Sequence, residues 1–373
     1  SVIIGLNLSS PNRDKPKKEA FMKISLLQTI SADHMELEEY CMNNGTMSVH
    51  VLSYGCALTG IYVPDKKAGK KVNILLSFDD LTSYLRNPLY CGAALGPNAG
   101  RISGGSLDID GRHYQLSQND GVNHIHGGFH NLSFQNAVLV SRETDKESAA
   151  LTFQAVLPHG LDGYPGSRCI HITYRLFSDN RLTVSFRASS DRETYLNLSS
   201  HAYFNLSGDF TKNVHSHRLF VRGNAFAEND ETHIPMGISH TAGTPFDFST
   251  PVSIQENMDR YPQNMQIQRA RGLNHAFLVN KEHNPSEPSL VLEDHPSGRS
   301  LKLYTDTPSI VVYSGGFIEN TYKINGGCLS FPHCAIALEP QDIPDTPNCG
   351  LAPMHILKPG ALYLRTFTYA FSF

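Results

Sequence analysis

The sequence has no long hydrophobic run, no paired cysteines and no strong charge of either sign, and each absence excludes a class of protein. No apolar run approaches the roughly 20 residues that a membrane-spanning helix needs. The seven cysteines are an odd number without a CxxC pair, so neither a disulfide framework nor a zinc ribbon is indicated. A net charge of -4 gives no electrostatic reason to expect a nucleic-acid or anionic-membrane partner. We therefore expect a cytoplasmic protein whose ligand is small and weakly charged.

Several common catalytic motifs are also absent. The sequence contains no GxGxxG, no GxxxxGK[ST], no GxSxG and no HExxH pattern. The sequence therefore lacks the motifs that usually indicate nucleotide binding, serine hydrolysis or zinc-dependent proteolysis.

Composition and length indicate a folded protein with a large core. Hydrophobic residues make up 40% of the 373 residues and charged residues 18%, which is ordinary for a globular chain. Residues 1–21 are a polar extension ahead of Met22, and no linker divides the remaining chain. We predict a single domain over residues 22–373.

Alternation with a period of two is the recurrent pattern, and it predicts β-strands. It is clearest over residues 170–176 and 182–188, which flank a turn at residues 178–180 and together predict a hairpin. Further short strands are predicted at residues 47–52, 55–63, 218–222, 290–293, 301–304, 310–313 and 363–373. Only residues 79–85 resemble a capped helical turn. The prediction is an all-β protein, a large antiparallel sandwich with few short helices.

A histidine pair at residues 124 and 126 is the first candidate site. On an alternating strand both imidazoles would share one face, with Ile125 pointing into the sheet interior. A metal site would need a third ligand, for which the chain offers His130 and the histidines at 201, 215 and 217. The alternatives are histidines that are hydrogen-bonded within a sheet, and a ligand site beside Gly127 and Gly128.

Three further segments carry polar groups that suit chemistry. His201 lies in a stretch dense in hydroxyl, amide and aromatic groups, where an imidazole could exchange a proton near neutral pH. Glu339 ends an apolar run, and the following Pro340 is expected to stop the strand, which leaves a partly desolvated carboxylate suited to a general base. Arg101, in a glycine-rich segment, could bind hydroxyl groups through its fork of donors. Each of these three residues also has a non-catalytic interpretation. His201 could lie in a polar turn, Glu339 could be a surface residue, and Arg101 could hold a loop in place.

Taken together these segments resemble the aldose 1-epimerase family over about residues 23–373. Six segments occur in the order typical of that family, namely residues 100–102, 123–128, 163–166, 201–206, 313–317 and 338–341. The resemblance implies a large antiparallel β-sandwich that interconverts the α and β anomers of a free hexose. It also implies that neither a cofactor nor a metal ion takes part.

Residue roles follow from the resemblance by position. Glu339 is expected to remove the proton from the C1 hydroxyl, and His201 to protonate the ring oxygen. Arg101 and His126 resemble substrate-binding residues of the family, and Phe317 resembles its aromatic wall. Because the chain has no tryptophan, an apolar sugar face must rest on Phe or Tyr.

One position departs from the family pattern. Family members usually carry an aspartate where this chain has Asn274, so a sugar-contacting carboxylate is replaced by an amide. An amide still accepts from a hydroxyl, but it loses the stronger charge-assisted hydrogen bond.

The sequence is also compatible with other functions. A carbohydrate-binding sandwich without turnover would keep the sugar pocket, and an epimerase of a phosphorylated sugar would need more basic residues than Arg101 alone. A disaccharide substrate is a further alternative, and the chain could be a monomer or a homodimer.

Overall fold

The computed structural model describes residues 22–279 and 284–373. The predicted polar extension, residues 1–21, lies outside the described residues.

Short antiparallel strands make up most of the described chain. In its first half the strands are β1 (Lys23–Ala32), β2 (Met35–Asn43), β3 (Ser48–Leu52), β4 (Leu58–Asp65), β5 (Lys70–Asn73), β6 (Ala94–Leu95), β7 (Arg101–Ile102), β8 (Ser106–Ile109), β9 (Arg112–Gln115), β10 (His124–Ile125), β11 (Val138–Thr144), β12 (Ser148–Leu157), β13 (Arg168–Phe177) and β14 (Arg181–Ser190). In its second half they are β15 (Thr194–Tyr195), β16 (Ser199–Ser200), β17 (Tyr203–Phe204), β18 (Arg218–Val221), β19 (Ala225–Asn229), β20 (Pro235–His240), β21 (Val252–Ser253), β22 (Asn274–Leu278), β23 (Leu290–Asp294), β24 (Arg299–Thr305), β25 (Ser309–Tyr313), β26 (Lys323–Ile324), β27 (Cys328–Leu329), β28 (Ile336–Gln341), β29 (Ile356–Leu357) and β30 (Tyr363–Ser372).

Helices are few and short, as the sequence predicts. The α-helices of the described residues are α1 (Ile254–Asp259), α2 (Met265–Ala270) and α3 (Thr346–Cys349), and the 3₁₀ helices are Leu81–Leu85, Ser103–Gly105, Leu132–Phe134 and Leu161–Gly163. The predicted capped turn is the first of these 3₁₀ helices, and the Asp80 side chain accepts from Thr82 N at its start. Among the described helices none has the length and apolar character needed to cross a bilayer.

Three sheets organise the fold. A nine-stranded sheet has the order β11-β12-β13-β14-β30-β24-β23-β18-β21, a six-stranded sheet β17-β28-β25-β22-β19-β20, and a five-stranded sheet β1-β2-β3-β4-β5. Neighbouring strands in all three sheets run antiparallel. The prediction of a large antiparallel β-sandwich is confirmed.

The predicted hairpin is formed by β13 and β14 in the large sheet. Ile172 lies opposite Phe186 and Tyr174 opposite Val184, and all four side chains are buried. Residues between them along each strand are half-buried or exposed, which is the alternation that the sequence shows.

One hydrophobic cluster connects the three sheets. It contains Val51 from β3, Phe153 from β12, Phe204 from β17 and Leu338 from β28. Because Leu338 points into this cluster, its neighbours Ala337 and Glu339 on β28 face the other side of the six-stranded sheet. Packing in the core therefore fixes the position of β28, the strand that carries Glu339.

Candidate active site

Glu339 lies inside β28 and not at its end. Pro340 is in register with Ile310 of β25, and the strand continues to Gln341. The expectation that Pro340 stops the strand is therefore wrong. The Pro340 carbonyl instead accepts a hydrogen bond from Ser199 Oγ at 2.8 Å, so a side chain of the adjacent segment satisfies it. Glu339 is buried in this strand, with only 3% of the residue exposed.

His201 is held beside Glu339 by the segment between β16 and β17. Its backbone N–H donates to Ala93 O at 2.9 Å. The imidazole Nε2 lies 3.5 Å from Glu339 Oε1, and both side chains are buried. His201 Nδ1 and Glu339 Oε2 have no hydrogen-bond partner among the described residues.

Burial favours the neutral form of each member of this pair. Desolvation raises the pKa of Glu339 to about 8, and the nearby Arg101 opposes the rise. Desolvation lowers the pKa of His201 to about 3. At neutral pH the pair therefore shares one proton, which resides mainly on the glutamate.

Arg101 and His126 reach the same cleft from the paired strands β7 and β10, in which Arg101 lies opposite Ile125. Arg101 Nε donates to Asp120 Oδ2 at 2.6 Å. The His126 ring centroid lies 5.3 Å from that of His201, with the two planes nearly perpendicular. Burial, followed by the charges on His201 and Arg101, holds the pKa of His126 well below its usual range.

The backbone of Gly100 sets the tautomer of His126. Gly100 N–H donates to His126 Nδ1 at 3.2 Å. In a neutral imidazole whose Nδ1 accepts, the proton lies on Nε2. His126 therefore offers a hydrogen-bond donor to the cleft.

His124 does not share the cleft with His126, so the expected alternation is wrong here. The strand β10 ends at Ile125, and His126 adopts a left-handed conformation with φ of 51°. His124 is buried, with Nδ1 at 2.6 Å from Ser117 O and Nε2 at 2.8 Å from Tyr164 Oη. Ile125, which was expected to point into the sheet, lines the cleft instead.

The other two predicted binding residues also line this cleft. Asn274 begins β22, opposite Tyr313 of β25. Phe317 is 38% exposed at the cleft, where its ring is nearly parallel to that of Tyr313 and lies 5.0 Å from the Arg271 guanidinium carbon. All six predicted site residues thus converge on one open cleft of about 610 Å³. This volume suits a small ligand such as a monosaccharide.

The residues that lie close enough to bind a metal ion differ from the set that the sequence suggested, which paired His124 with His126. One nitrogen each of His126 and His201 and one oxygen of Glu339 lie within 4.8 Å of one another. His130 is exposed, and His215 and His217 are not among the residues that line the cleft. The proton on His126 Nε2 disfavours metal ligation, because a protonated nitrogen has no lone pair to donate.

Comparison with known proteins shows the family to which the chain belongs. The sequence profile described as aldose 1-epimerase matches residues 38–370. The chain belongs to the aldose 1-epimerase family. Galactose mutarotase of Sus scrofa is 33% identical over 337 residues, which cover 90% of this chain and 94% of that protein.

Two solved structures support the assignment to the aldose 1-epimerases. Galactose 1-epimerase of Lactobacillus acidophilus has a TM-score of 0.82 and 27% identity, and the match covers 94% of this chain and 99% of that one. An aldose epimerase homologue from C. elegans has a TM-score of 0.79 and 27% identity, covering 88% and 96%. The predicted family and fold are confirmed, and the chain is an isomerase with aldose 1-epimerase activity on sugars.

Sequence reasoning missed several residues that line the epimerase cleft, among them Tyr90, Asp120 and Gln341. The Tyr90 ring packs 4.7 Å from His126 and 6.2 Å from His201, in a segment where Asn87 and Tyr90 both have positive φ. No periodic pattern marks such a segment. Gln341 could have been found, because it lies two residues after Glu339 on the same strand.

Proposed function

We propose that Glu339 and His201 are the acid–base pair with which this aldose 1-epimerase opens and closes the ring of a free hexose. The observation that carries the proposal is the 3.5 Å separation of His201 Nε2 and Glu339 Oε1 on the buried floor of the cleft. At this separation both groups can reach the substituents of one anomeric carbon.

The reaction needs one proton accepted and one proton donated. The Glu339 carboxylate takes the proton of the C1 hydroxyl, the C1–O5 bond breaks as C1 becomes an aldehyde, and protonated His201 gives its proton to O5. After rotation about C1–C2, O5 attacks the other face of the aldehyde. His201 then recovers its proton from O5, and Glu339 returns one to the C1 oxygen.

The ionised pair must form before this cycle starts. Because the resting proton lies mainly on Glu339, the ionised form results when that proton passes to His201 Nε2 over the 3.5 Å gap. The positive charge of Arg101 favours the ionised Glu339 carboxylate.

The remaining predicted residues hold the sugar. Arg101 is oriented by Asp120 through its Nε, which leaves the two terminal nitrogens of the guanidinium for sugar hydroxyls. His126 donates from Nε2, Asn274 binds a hydroxyl with its amide, and Phe317 provides a flat apolar wall. The galactose mutarotases among the relatives favour galactose as the first hexose to assay.

Neither a cofactor nor a metal ion is required in this mechanism. Every step is a proton transfer between the sugar and the two side chains. We also propose that residues 22–373 form one domain, since the central hydrophobic cluster includes residues of all three large sheets.

A cytoplasmic location is part of the proposal, and buried asparagines support it. Four Asn-x-Ser/Thr sequences begin at residues that are fully buried, namely Asn44, Asn131, Asn197 and Asn205. Each of these side-chain amides donates within the core, for example Asn205 Nδ2 to Cys334 O at 2.9 Å. A bulky glycan on such an asparagine is incompatible with the fold.

Replacement of the acid and the base tests the proposed roles. We expect Glu339→Gln and His201→Asn each to lower kcat by at least about 100-fold with a smaller change in KM, because each removes a proton transfer and not a binding contact. The double variant should be little worse than the poorer single variant, since the two groups act together. Polarimetry of galactose and glucose, above the spontaneous rate, measures this.

The exposed residues His113 and Glu143 provide matched controls for this experiment. His113→Asn and Glu143→Gln should retain normal turnover, because both side chains lie outside the cleft. Near-normal turnover of Glu339→Gln on every aldose that the unmodified enzyme accepts would exclude the proposed roles.

A further inference from the structure

Arg365 is a buried arginine that lies outside the cleft. It belongs to β30, where it is opposite Phe186 of β14, and only 9% of the residue is exposed. It is not among the residues that line the cleft. A buried guanidinium needs several acceptors, because it carries a charge and five N–H donors. The partners of Arg365 therefore show which parts of the chain it holds together.

These partners come from two segments that adjoin the catalytic pair in the sequence. Nη1 donates to Asn197 Oδ1 at 2.6 Å and to Leu198 O at 2.9 Å, and Nη2 donates to Asp342 Oδ1 at 2.6 Å. Leu198 lies three residues before His201, and Asp342 lies three residues after Glu339. One rigid, planar group thus joins the segment that leads into His201 to the end of the strand that carries Glu339.

Asn197 extends this connection to a third segment. Its Oδ1 also accepts from Asp342 N at 2.9 Å, and its Nδ2 donates to Ala99 O at 3.0 Å. Its backbone N–H donates to Pro97 O at 2.8 Å. Because Ala99 lies two residues before Arg101, the segment that presents the substrate-binding arginine is tied to the same centre.

A second residue of β30 holds the peptide groups of Leu198. Tyr363 and Arg365 are two residues apart, so their side chains leave the same face of the strand. Tyr363 Oη accepts from Leu198 N at 3.0 Å, while Arg365 binds the carbonyl of the same residue. The approach of this segment to His201 is therefore fixed by side chains of β30.

We propose that Arg365 is a positioning residue for the epimerase reaction, because it holds in one geometry the segments that carry His201, Glu339 and Arg101. This inference rests on the acid–base pair proposed above. Both proton transfers need the two side chains at the correct distance from one sugar ring, and a displacement of about 1 Å can lower a rate about 100-fold. Arg365 itself touches no reacting atom.

Arg365→Lys tests the inference, because it keeps the positive charge and removes the planar fork that joins the three acceptors. We expect kcat per folded protein, measured by polarimetry of galactose, to fall about 10- to 100-fold. The folded fraction under assay conditions is measured by circular dichroism, so that a loss of folded enzyme is not counted as a loss of kcat.

The pH profile provides a readout that a purely structural role would not change. The pair loses its shared proton as pH rises through about 8, and kcat/KM should decline there. Desolvation is the main cause of the raised pKa of Glu339, and a displaced segment admits water to the carboxyl group. In Arg365→Lys the decline should therefore begin at a lower pH. The pH of this decline does not depend on how much of the protein is folded.

Arg299→Lys is the matched control. Arg299 is 3% exposed, and its guanidinium likewise joins a carboxylate to backbone carbonyls, namely those of Asp65, Leu206 and Ser207. None of these residues lines the cleft. Its stability should fall as in Arg365→Lys, while kcat per folded protein and the pH of the decline should stay normal.

Asp342→Asn decides the question if Arg365→Lys does not fold. It weakens the charge-assisted hydrogen bond from Arg365 while keeping the shape of the side chain, so it should change kcat and the pH profile in the same direction by a smaller amount. Normal kcat with an unchanged pH profile in the folded variants would overturn the inference, as would equal changes in Arg299→Lys. Glu339→Gln and His201→Asn test the acid–base pair itself, so slow turnover in those two variants beside a normal Arg365→Lys would remove this inference alone.

Discussion

The shared proton of Glu339 and His201 is the property on which the chemistry depends. Burial places both side chains where water cannot compete for the sugar, and the same burial opposes the charged forms that the reaction needs. Part of the free-energy cost of forming the ionised pair is therefore due to its burial in the cleft. Arg101 is the nearby positive charge that offsets this cost for Glu339.

The pH dependence of the reaction should reveal the raised pKa of Glu339. The reacting form of the pair carries one proton, which passes from Glu339 to His201, and the pair loses this proton as pH rises through about 8. We therefore expect kcat/KM to be nearly constant from neutral pH up to about pH 8 and to fall by roughly tenfold per pH unit above it. Polarimetric rates over that range, corrected at each pH for spontaneous mutarotation, measure it. A rise of kcat/KM through pH 8 would contradict the shared proton, because the form that predominates above that pH has no proton on either residue.

Asn274 offers a test in which activity is gained. Asn274→Asp supplies a carboxylate to a cleft residue, which should strengthen a hydrogen bond to a sugar hydroxyl. We expect kcat/KM for a simple hexose to rise about tenfold, which corresponds to about 1.4 kcal/mol. Asn119 also lines the cleft, but Asn119→Asp is not an equivalent test, because the Asn119 amide is engaged with the backbone of Ile125. Unchanged or lower kcat/KM in Asn274→Asp would show that the amide suits the substrate of this enzyme.

At the scale of single residues the sequence predicts which residues react better than it predicts their burial and pKa shifts. His201 and Glu339 stand out because an imidazole and a carboxylate occur in unusual local contexts, and the structure brings them together. Their burial, and therefore the direction of their pKa shifts, depends on segments far away in the chain. Tyr90 could not be predicted, because its contact with both histidines depends on a left-handed backbone and not on a pattern.

The loop after β10 shows how one element supports the cleft. The side chain of Asp162 is buried and accepts hydrogen bonds from Phe129 N, His130 N and Ser117 Oγ, each at 2.8 Å. Gly128 approaches so closely that an added Cβ would lie 2.3 Å from Asp162 Cγ. This loop continues directly from His126, so the carboxylate of Asp162 anchors the segment that carries a substrate-binding histidine.

Removal of that anchor should reduce both stability and activity. In Asp162→Ala three donors lose their acceptor, and we expect a loss of roughly 2 to 4 kcal/mol of unfolding free energy together with lower kcat/KM. Urea unfolding and polarimetry measure the two effects. Asp108→Ala is the matched control, because it removes a carboxylate from an exposed pair with His113 and should change stability by less than about 1 kcal/mol. Equal stability of the two variants would contradict the anchoring role.

At the scale of elements, strands with strong alternation are predictable and short ones are not. The hairpin of β13 and β14 follows from its own residues, since each strand buries one face. The two-residue strand β10 ends before alternation can be established, and Pro340 is tolerated because Ser199 and the register with Ile310 hold its strand. In both places tertiary contacts override the local rule.

The buried asparagines make a prediction for the whole molecule. Expressed behind a secretion signal in eukaryotic cells, the chain should receive glycans at some of its Asn-x-Ser/Thr sequences before it folds, and it should then be inactive. A mobility shift removed by a glycosidase would detect the glycans, and blocking glycan addition should restore mutarotation. An active, secreted product with glycans on these four asparagines would contradict the burial of their amides and the proposed cytoplasmic location.

The place of β30 in the nine-stranded sheet has a consequence for the nascent protein. This strand lies between β14 and β24, so both of those strands leave the ribosome before the strand that joins them. Until β30 arrives, each presents an unpaired edge to other chains. During synthesis the molecule therefore passes through a stage in which its largest sheet is divided in two, and the cell must protect it from aggregation for that interval.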